Sequence, residues 1–176
     1  PTAVTGLIYN TQEQTGVALP EGALYTLTDH VKKDAGDYKA IAALKDPANY
    51  AWKGLNTSDN QEIAWSIAKA EVELPTAVTG LIYNTQEQTG VVLPAGALYT
   101  LTDHVKKDAG DYKAIAALID PANYAWKGLN TSDNQEIAWS IAKATLTAAD
   151  FTFTAPANLI YDGTGKAAAV TLDAKW

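Results

Sequence analysis

The sequence predicts an all-β chain of small modules in tandem, and three observations carry that expectation. Residues 1–70 are written out again at 75–144 with three changes: Ala18 becomes Val92, Glu21 becomes Ala95 and Lys45 becomes Ile119. Apolar residues alternate with period two, and no apolar pattern of period 3.6 persists for three turns. Turn-forming residues break these runs about every 8–12 residues, the spacing of a small sandwich or barrel. A period of 74 residues is too long for a solenoid repeat and suits a globular module used twice.

The elements follow in order. Thr5–Tyr9 and Ala23–Thr28 are short strand candidates. Gly36-Asp-Tyr-Lys-Ala-Ile-Ala-Ala-Leu44 is the clearest strand, with Tyr38, Ala40, Ala42 and Leu44 on one face. It is rich in Ala, but its alternation and the flanking Gly36 and Pro47 argue against a helix. Tyr50 and Trp52 form a shorter alternating pair. Glu62–Ala68 places Ile63, Trp65 and Ile67 on one face and Ala64 and Ser66 on the other. Leu19-Pro-Glu-Gly22, Asp34-Ala-Gly36, Asp46-Pro47 and Asn56-Thr-Ser-Asp-Asn60 supply the turns between them.

At the junction the apolar parity flips. After Lys69-Ala70 the apolar positions are Val72 and Leu74, with Glu71 and Glu73 opposite. Such a flip re-aims side chains to another core. The last strand of one module is therefore expected to run into the next without a Gly/Ser spacer, giving a semi-rigid array. The expected divisions are a first module over 1–69, a second over 70–143 and an incomplete third over 144–176. In the third, Leu159-Ile-Tyr-Asp162 matches Leu81-Ile-Tyr-Asn84. That segment is too short to close a core, so it is expected to dock on the second module or to lack order. The chain opens on Pro1 with no initiator Met and no signal peptide, and is expected to be an excerpt of a longer polypeptide.

A unit of this size buries only about 60% of the surface that its unfolded chain exposes, so the core must be dense. Each copy carries two Trp (Trp52 and Trp65; Trp126 and Trp139) and four Tyr (Tyr9, Tyr25, Tyr38 and Tyr50, with their counterparts). A buried aromatic removes about 150–250 Å² from water, an upper bound of several kcal/mol at about 25 cal/mol/Å².

Composition excludes several functions. The net charge is −7 and every cation is a Lys. Without Arg, the bidentate donor for phosphates and base edges, nucleic acid is a poor partner. There is no Cys and no Met, hence no disulfide, no thiolate metal site and few targets for oxidation, which suits an extracellular setting. No segment approaches the ~18 apolar residues of a membrane span.

Candidate sites are weak. His30, in Asp29-His-Val-Lys-Lys33, has no second His or Cys beside it and reads as a surface residue rather than a ligand or base. Ser58 and Ser66 lack the Gly-x-Ser-x-Gly frame of a nucleophile elbow. Asn56–Glu62 offers oxygen ligands without the Gly and carboxylate spacing of a calcium loop, and reads as a turn bonded to itself. Leu19–Gly22 lacks the Thr-Gly end and apolar tail of a sortase signal and reads as a turn. An internal isopeptide bond would need Lys39 or Lys69 buried with Asn49 and an acid, and no spacing supports it. Trp52 is a sugar-stacking platform if exposed, but its alternation with Tyr50 favours packing. No catalytic, cofactor-binding or metal-binding residue is assigned, and no cofactor is expected.

Asp34-Ala-Gly-Asp-Tyr-Lys-Ala40 and its copy at Asp108–Ala114 resemble the tyrosine corner of immunoglobulin-like domains, with Ala in place of the second Cys. The missing Cys-Trp-Cys core rules out an antibody-type domain. Leu-Ile-Tyr-Asn, Asp-Ala-Gly-Asp-Tyr, Ala-Asn-Tyr-Ala-Trp and Ile-Ala-Trp-Ser-Ile-Ala-Lys-Ala, in that order, resemble the tandem repeats of bacterial cell-surface proteins of the MBG and YDG type. Asp150-Phe-Thr-Phe-Thr-Ala-Pro-Ala-Asn-Leu-Ile-Tyr-Asp-Gly163 looks like the opening of the YDG type. The likeness spans essentially the whole chain, and its motifs are structural.

It implies a small immunoglobulin-like β-sandwich, or a β-grasp-like module, in an extracellular adhesin-like protein. The implied function is a non-catalytic spacer or stalk repeat whose partners are neighbouring repeats of the same chain. The alternative is an adhesive module recognising a host glycan or protein through weak repeated sites.

Overall fold

Alternation sets the long strands, and a cross-strand aromatic pair fixes their register. The computed structural model describes residues 1–174. In the first copy the strands are β1 (Leu7–Ile8), β2 (Gln14–Thr15), β3 (Tyr25–Thr28), β4 (Val31–Lys32), β5 (Gly36–Leu44), β6 (Gln61–Ala68) and β7 (Ala70–Val72). Four of them form a sheet in the order β1-β6-β5-β3. Strand β5 runs antiparallel to both neighbours, placing Tyr38 opposite Trp65 and Ala40 opposite Ile63. Strand β1 lies parallel to β6, with Leu7 beside Ile67. A separate two-stranded antiparallel pairing joins β2 and β4 across the intervening β3, and an isolated bridge ties Ala3 to Val17.

The core follows the expected faces. Val17, Leu27, Ala40, Ala42, Trp65 and Ile67 are buried together, and Tyr25, Tyr38, Trp52 and Ile63 pack against them. On β6, Glu62, Ala64, Ser66 and Ala68 all point to solvent, so period two is kept along the strand. Trp65 is the centre of this packing. Tyr38 stacks on it at 4.9 Å between ring centroids, and its indole N–H donates to the Asp29 carbonyl. The backbone of Gly16 crosses the indole so closely that a Cβ there would lie 1.8 Å from Trp65 Cε3.

Tyr38 ties the start of its strand back to the preceding loop. The Tyr38 hydroxyl donates to the Asp34 carbonyl at 2.7 Å, and Tyr112 does the same to Asp108. A Cβ on Gly36 would meet the Tyr38 hydroxyl at 3.2 Å, so glycine makes room for the ring. At the Leu19–Gly22 turn, Ala23 N–H donates to the Pro20 carbonyl, and Gly22 takes the left-handed φ of 72° that this turn needs.

The second copy repeats the pattern with β8 (Leu81–Ile82), β9 (Gln88–Thr89), β10 (Tyr99–Thr102), β11 (Val105–Lys106), β12 (Gly110–Leu118) and β14 (Gln135–Ala142), and adds β13 (Tyr124–Trp126), which has no counterpart strand in the first. Its sheet order is β8-β14-β12-β10, with Tyr112 opposite Trp139. Beyond it, a 3-10 turn (Ala148–Asp150) leads into an antiparallel hairpin of β15 (Phe151–Thr154) and β16 (Ala169–Leu172). No α-helix occurs among the described residues.

The chain divides into two compact units. One comprises residues 1–74 with 118–134; the other comprises 75–117 with the chain from Gln135 onward. Inside the first unit, β7 pairs in parallel with β13, setting Ala70 beside Tyr124 and Val72 beside Trp126. The parity flip explains this. Val72 is buried while Glu71 and Glu73 stay exposed, so the turned-over strand presents its apolar side to the 118–134 segment.

Candidate functional site

The residues with chemical potential lie on surfaces rather than in an enclosed cleft. His30 is half-buried, and its backbone carbonyl accepts from Gly16 N–H. Among the described residues no group of three His, Cys, Asp or Glu side chains converges as a metal site. Ser66 points outward from β6. The Ser58 hydroxyl donates to the Tyr50 carbonyl at 2.7 Å, so its proton is held by backbone and not by a base. The Asn56–Glu62 loop bonds to itself. Thr57 Oγ1 donates to Asp59 Oδ2 and accepts from Asp59 N–H, and the Asp59 carbonyl takes both Gln61 Nε2 and the Trp52 indole N–H. Lys39 pairs with Glu62 at 2.7 Å on the surface, apart from Asn49.

Open grooves flank the two core indoles. One of about 740 Å³ is lined by Asp103, Lys106, Tyr112, Lys113, Trp139 and neighbours. Its counterpart in the first unit, about 520 Å³, is lined by Asp37, Tyr38, Lys39, Trp65 and neighbours. Their charges are largely neutralised in pairs, Lys106 with Asp103 and Lys113 with Glu136. A hydrogen bond from Lys32, reinforced by its charge, holds the Asp29 carboxyl below its ordinary range, and Lys106 does the same to Asp103. Trp65 and Trp139 are each only 5% exposed, so these grooves offer little indole surface to a ligand.

The best-built polar arrangement lies within the first unit, around Asn123. This residue is 7% exposed. Its Oδ1 accepts from Ala35 N–H at 2.7 Å, and its Nδ2 donates to Asp120 and to Asp34. Its backbone carbonyl accepts from Ala70 N–H, and Lys127 N–H donates to the Val72 carbonyl. Lys69 Nζ donates to the Pro121 carbonyl and to Ser132 Oγ. Tyr9 meets the Tyr124 ring edge-on at 5.4 Å, and Lys127 pairs with Glu73. Loss of water around Tyr9, followed by the repulsion its phenolate would feel from Tyr124, Asp120 and Asp34, raises its pKa.

Comparison with protein-family models, curated proteins and solved structures finds no match. The reading of this chain therefore rests on its own residues. No helix among those described is long and apolar enough to cross a membrane.

Sequence reasoning placed Trp65, Ile67 and Tyr38 in the core but did not single out Asn123 or the amide of Ala35. A buried Asn inside a turn signal looks like any turn Asn. The only available hint was the parity flip at Lys69-Ala70, which announced a new packing partner without naming it.

Proposed function

We propose that the chain is a non-catalytic spacer: tandem immunoglobulin-like repeats of a bacterial extracellular surface protein, in the manner of MBG and YDG modules. One observation carries the reading. Three of the four tryptophans duplicated in the copies are packed into cores, with Trp65, Trp139 and Trp126 buried and each of these indole N–H groups given to a backbone carbonyl. The tyrosine corner in each copy, and a first strand parallel to the last, support the immunoglobulin-like form of the fold. A chain without Cys, Met or Arg fits an oxidising exterior with no nucleic-acid partner.

A second reading, adhesion to a host glycan or protein, draws on the first copy alone. There Tyr50 is 45% exposed, and Trp52 is half-buried beside Tyr25. A glycan array probed with the intact chain separates the two. The spacer reading expects no reproducible binding. A hit lost in both Tyr50→Ala and Trp52→Ala would replace it with the adhesive one.

A further inference from the structure

The two copies share one sequence from Asp46 to Ser58 and from Asp120 to Ser132, yet these stretches have different surroundings. Tyr124–Trp126 is a strand paired with β7. Ala125 and Trp126 are buried, and Trp126 is 0% exposed. In the first copy Tyr50–Trp52 pairs with no strand; Tyr50 and Ala51 are exposed and Trp52 is only half-buried. The stretches themselves are identical, and the one change beside them is Lys45 to Ile119.

The side that receives such a loop is also present twice. In the first unit it consists of Tyr9, Ala35, Lys69, Ala70 and Val72, which hold Tyr124, Asn123, Pro121 and Trp126 as described. The counterparts in the second unit are Tyr83, Ala109, Lys143, Ala144 and Leu146. Those five residues, with Leu172, line one groove of about 460 Å³ whose walls are almost wholly apolar. Residues 143–147 belong to no strand, and Leu146 is 45% exposed where the matching Val72 is 8% exposed.

We infer that the Asp46–Ser58 loop of one chain docks into the Tyr83–Ala109–Leu146 groove of a second copy of this chain, with residues 144–146 adding as a parallel strand to Tyr50–Trp52. The occupant is specified by the pairing already formed inside the first unit. Ala144 N–H donates to the Asn49 carbonyl, Lys53 N–H to the Leu146 carbonyl and Ala109 N–H to Asn49 Oδ1. Lys143 Nζ reaches the Pro47 carbonyl and Ser58 Oγ. Backbone hydrogen bonds supply affinity and the pockets supply register, as in strand addition at a sheet edge. The contact is heterologous, because loop and groove lie on different parts of the chain. Each added copy therefore brings a fresh loop or groove.

Sedimentation velocity of the intact chain over rising concentration, up to about 1 mM, the weak end of specific pairing, tests the inference. The expected result is a weight-average coefficient that climbs with concentration. Lys53→Pro removes the loop-side N–H while suiting its own turn, in which Leu55 N–H bonds the Trp52 carbonyl and Gly54 has φ 85°. Ala144→Pro removes the groove-side N–H. Each should weaken association about tenfold. An equimolar mixture of the two variants keeps one intact loop and one intact groove, and should yield a 1:1 complex of wild-type affinity that grows no further.

Amide exchange gives a second readout: Lys53 and Ala109 should gain protection as wild-type association proceeds. A chain monomeric at the highest concentration overturns the inference. So do variants that associate as well as wild type, or a mixture no better than either variant alone.

Discussion

Gly16→Ala offers the sharpest test of how the core is built. Gly16 does not have a left-handed backbone, so alanine is conformationally acceptable there. In an open site the change would stabilise by about 0.4–1 kcal/mol through the unfolded chain. The structure reverses that sign. The new Cβ would sit 1.8 Å from Trp65 Cε3 and 1.9 Å from Cδ2, about 1.6 Å inside the 3.4 Å edge of ordinary contact. Neither partner can easily retreat. Gly16 is held on both sides, its N–H on the His30 carbonyl at 2.8 Å and its carbonyl on Val4 N–H at 2.7 Å. The indole is held by Asp29 and covered by Tyr38.

Overpacking of this kind costs about 1–3 kcal/mol, and a strained or lost hydrogen bond adds about 1 kcal/mol. A net loss of about 2–3 kcal/mol per unit is expected from these terms. Gly90 stands over Trp139 in the same way, so the assay is denaturant unfolding, followed by tryptophan fluorescence, of a chain carrying both substitutions. A change of under about 0.5 kcal/mol per unit, the scale of an ordinary surface substitution, would refute the reasoning.

Other predictions concern the same packing and its margins. Trp65→Ala should cost about 3–5 kcal/mol, as for other core aromatics, read in the same unfolding assay; a loss below about 1 kcal/mol would mean that the core lies elsewhere. Asn123→Ala strands the part-buried Ala35 N–H and should cost about 1–3 kcal/mol. Asn49→Ala, at the matching but exposed position, should stay within about 0.5 kcal/mol; equal effects would contradict the assignment. In a carboxyl NMR titration, Asp29 and Asp103 should protonate below the ordinary carboxylate range, and Lys32→Gln and Lys106→Gln should move each midpoint up. Their contribution to stability is present at neutral pH and fades as pH falls through the lowered values. Tyr9 ionises above the usual tyrosine range, so its contribution is complete below that range and is lost as pH rises through the raised value; burial raises Tyr99 as well, so Tyr9→Phe should remove one tyrosine's share of the late change in an ultraviolet titration and leave the rest.

Much of the β architecture is legible in the residues. The alternation of Gly36–Leu44 and of Ile63, Trp65 and Ile67 marks both long strands and their buried faces, because a pleated strand with one face in a core must repeat every two residues. The Asp34–Tyr38 corner is legible as well, because it is a local hydrogen bond spanning five consecutive residues. The short antiparallel pairing of Gln14–Thr15 with Val31–Lys32 carries too few residues to show a period. The close crossing of Gly16 over Trp65 joins positions far apart in the chain, and a glycine just past a two-residue strand does not announce what lies against it.

The sequence by itself determined that the chain is built of β-strands, where the two long strands of each copy run, and which aromatic side chains they turn inward. These follow from side-chain period and turn chemistry, which act over a few residues. Only the tertiary structure decided that Trp126 is buried while Trp52 is half-open, and that Asn123 is held while Asn49 faces solvent. Identical sequences cannot encode different environments locally. The difference arises because a strand from elsewhere in the chain, Ala70–Val72, lies against one of them and not the other.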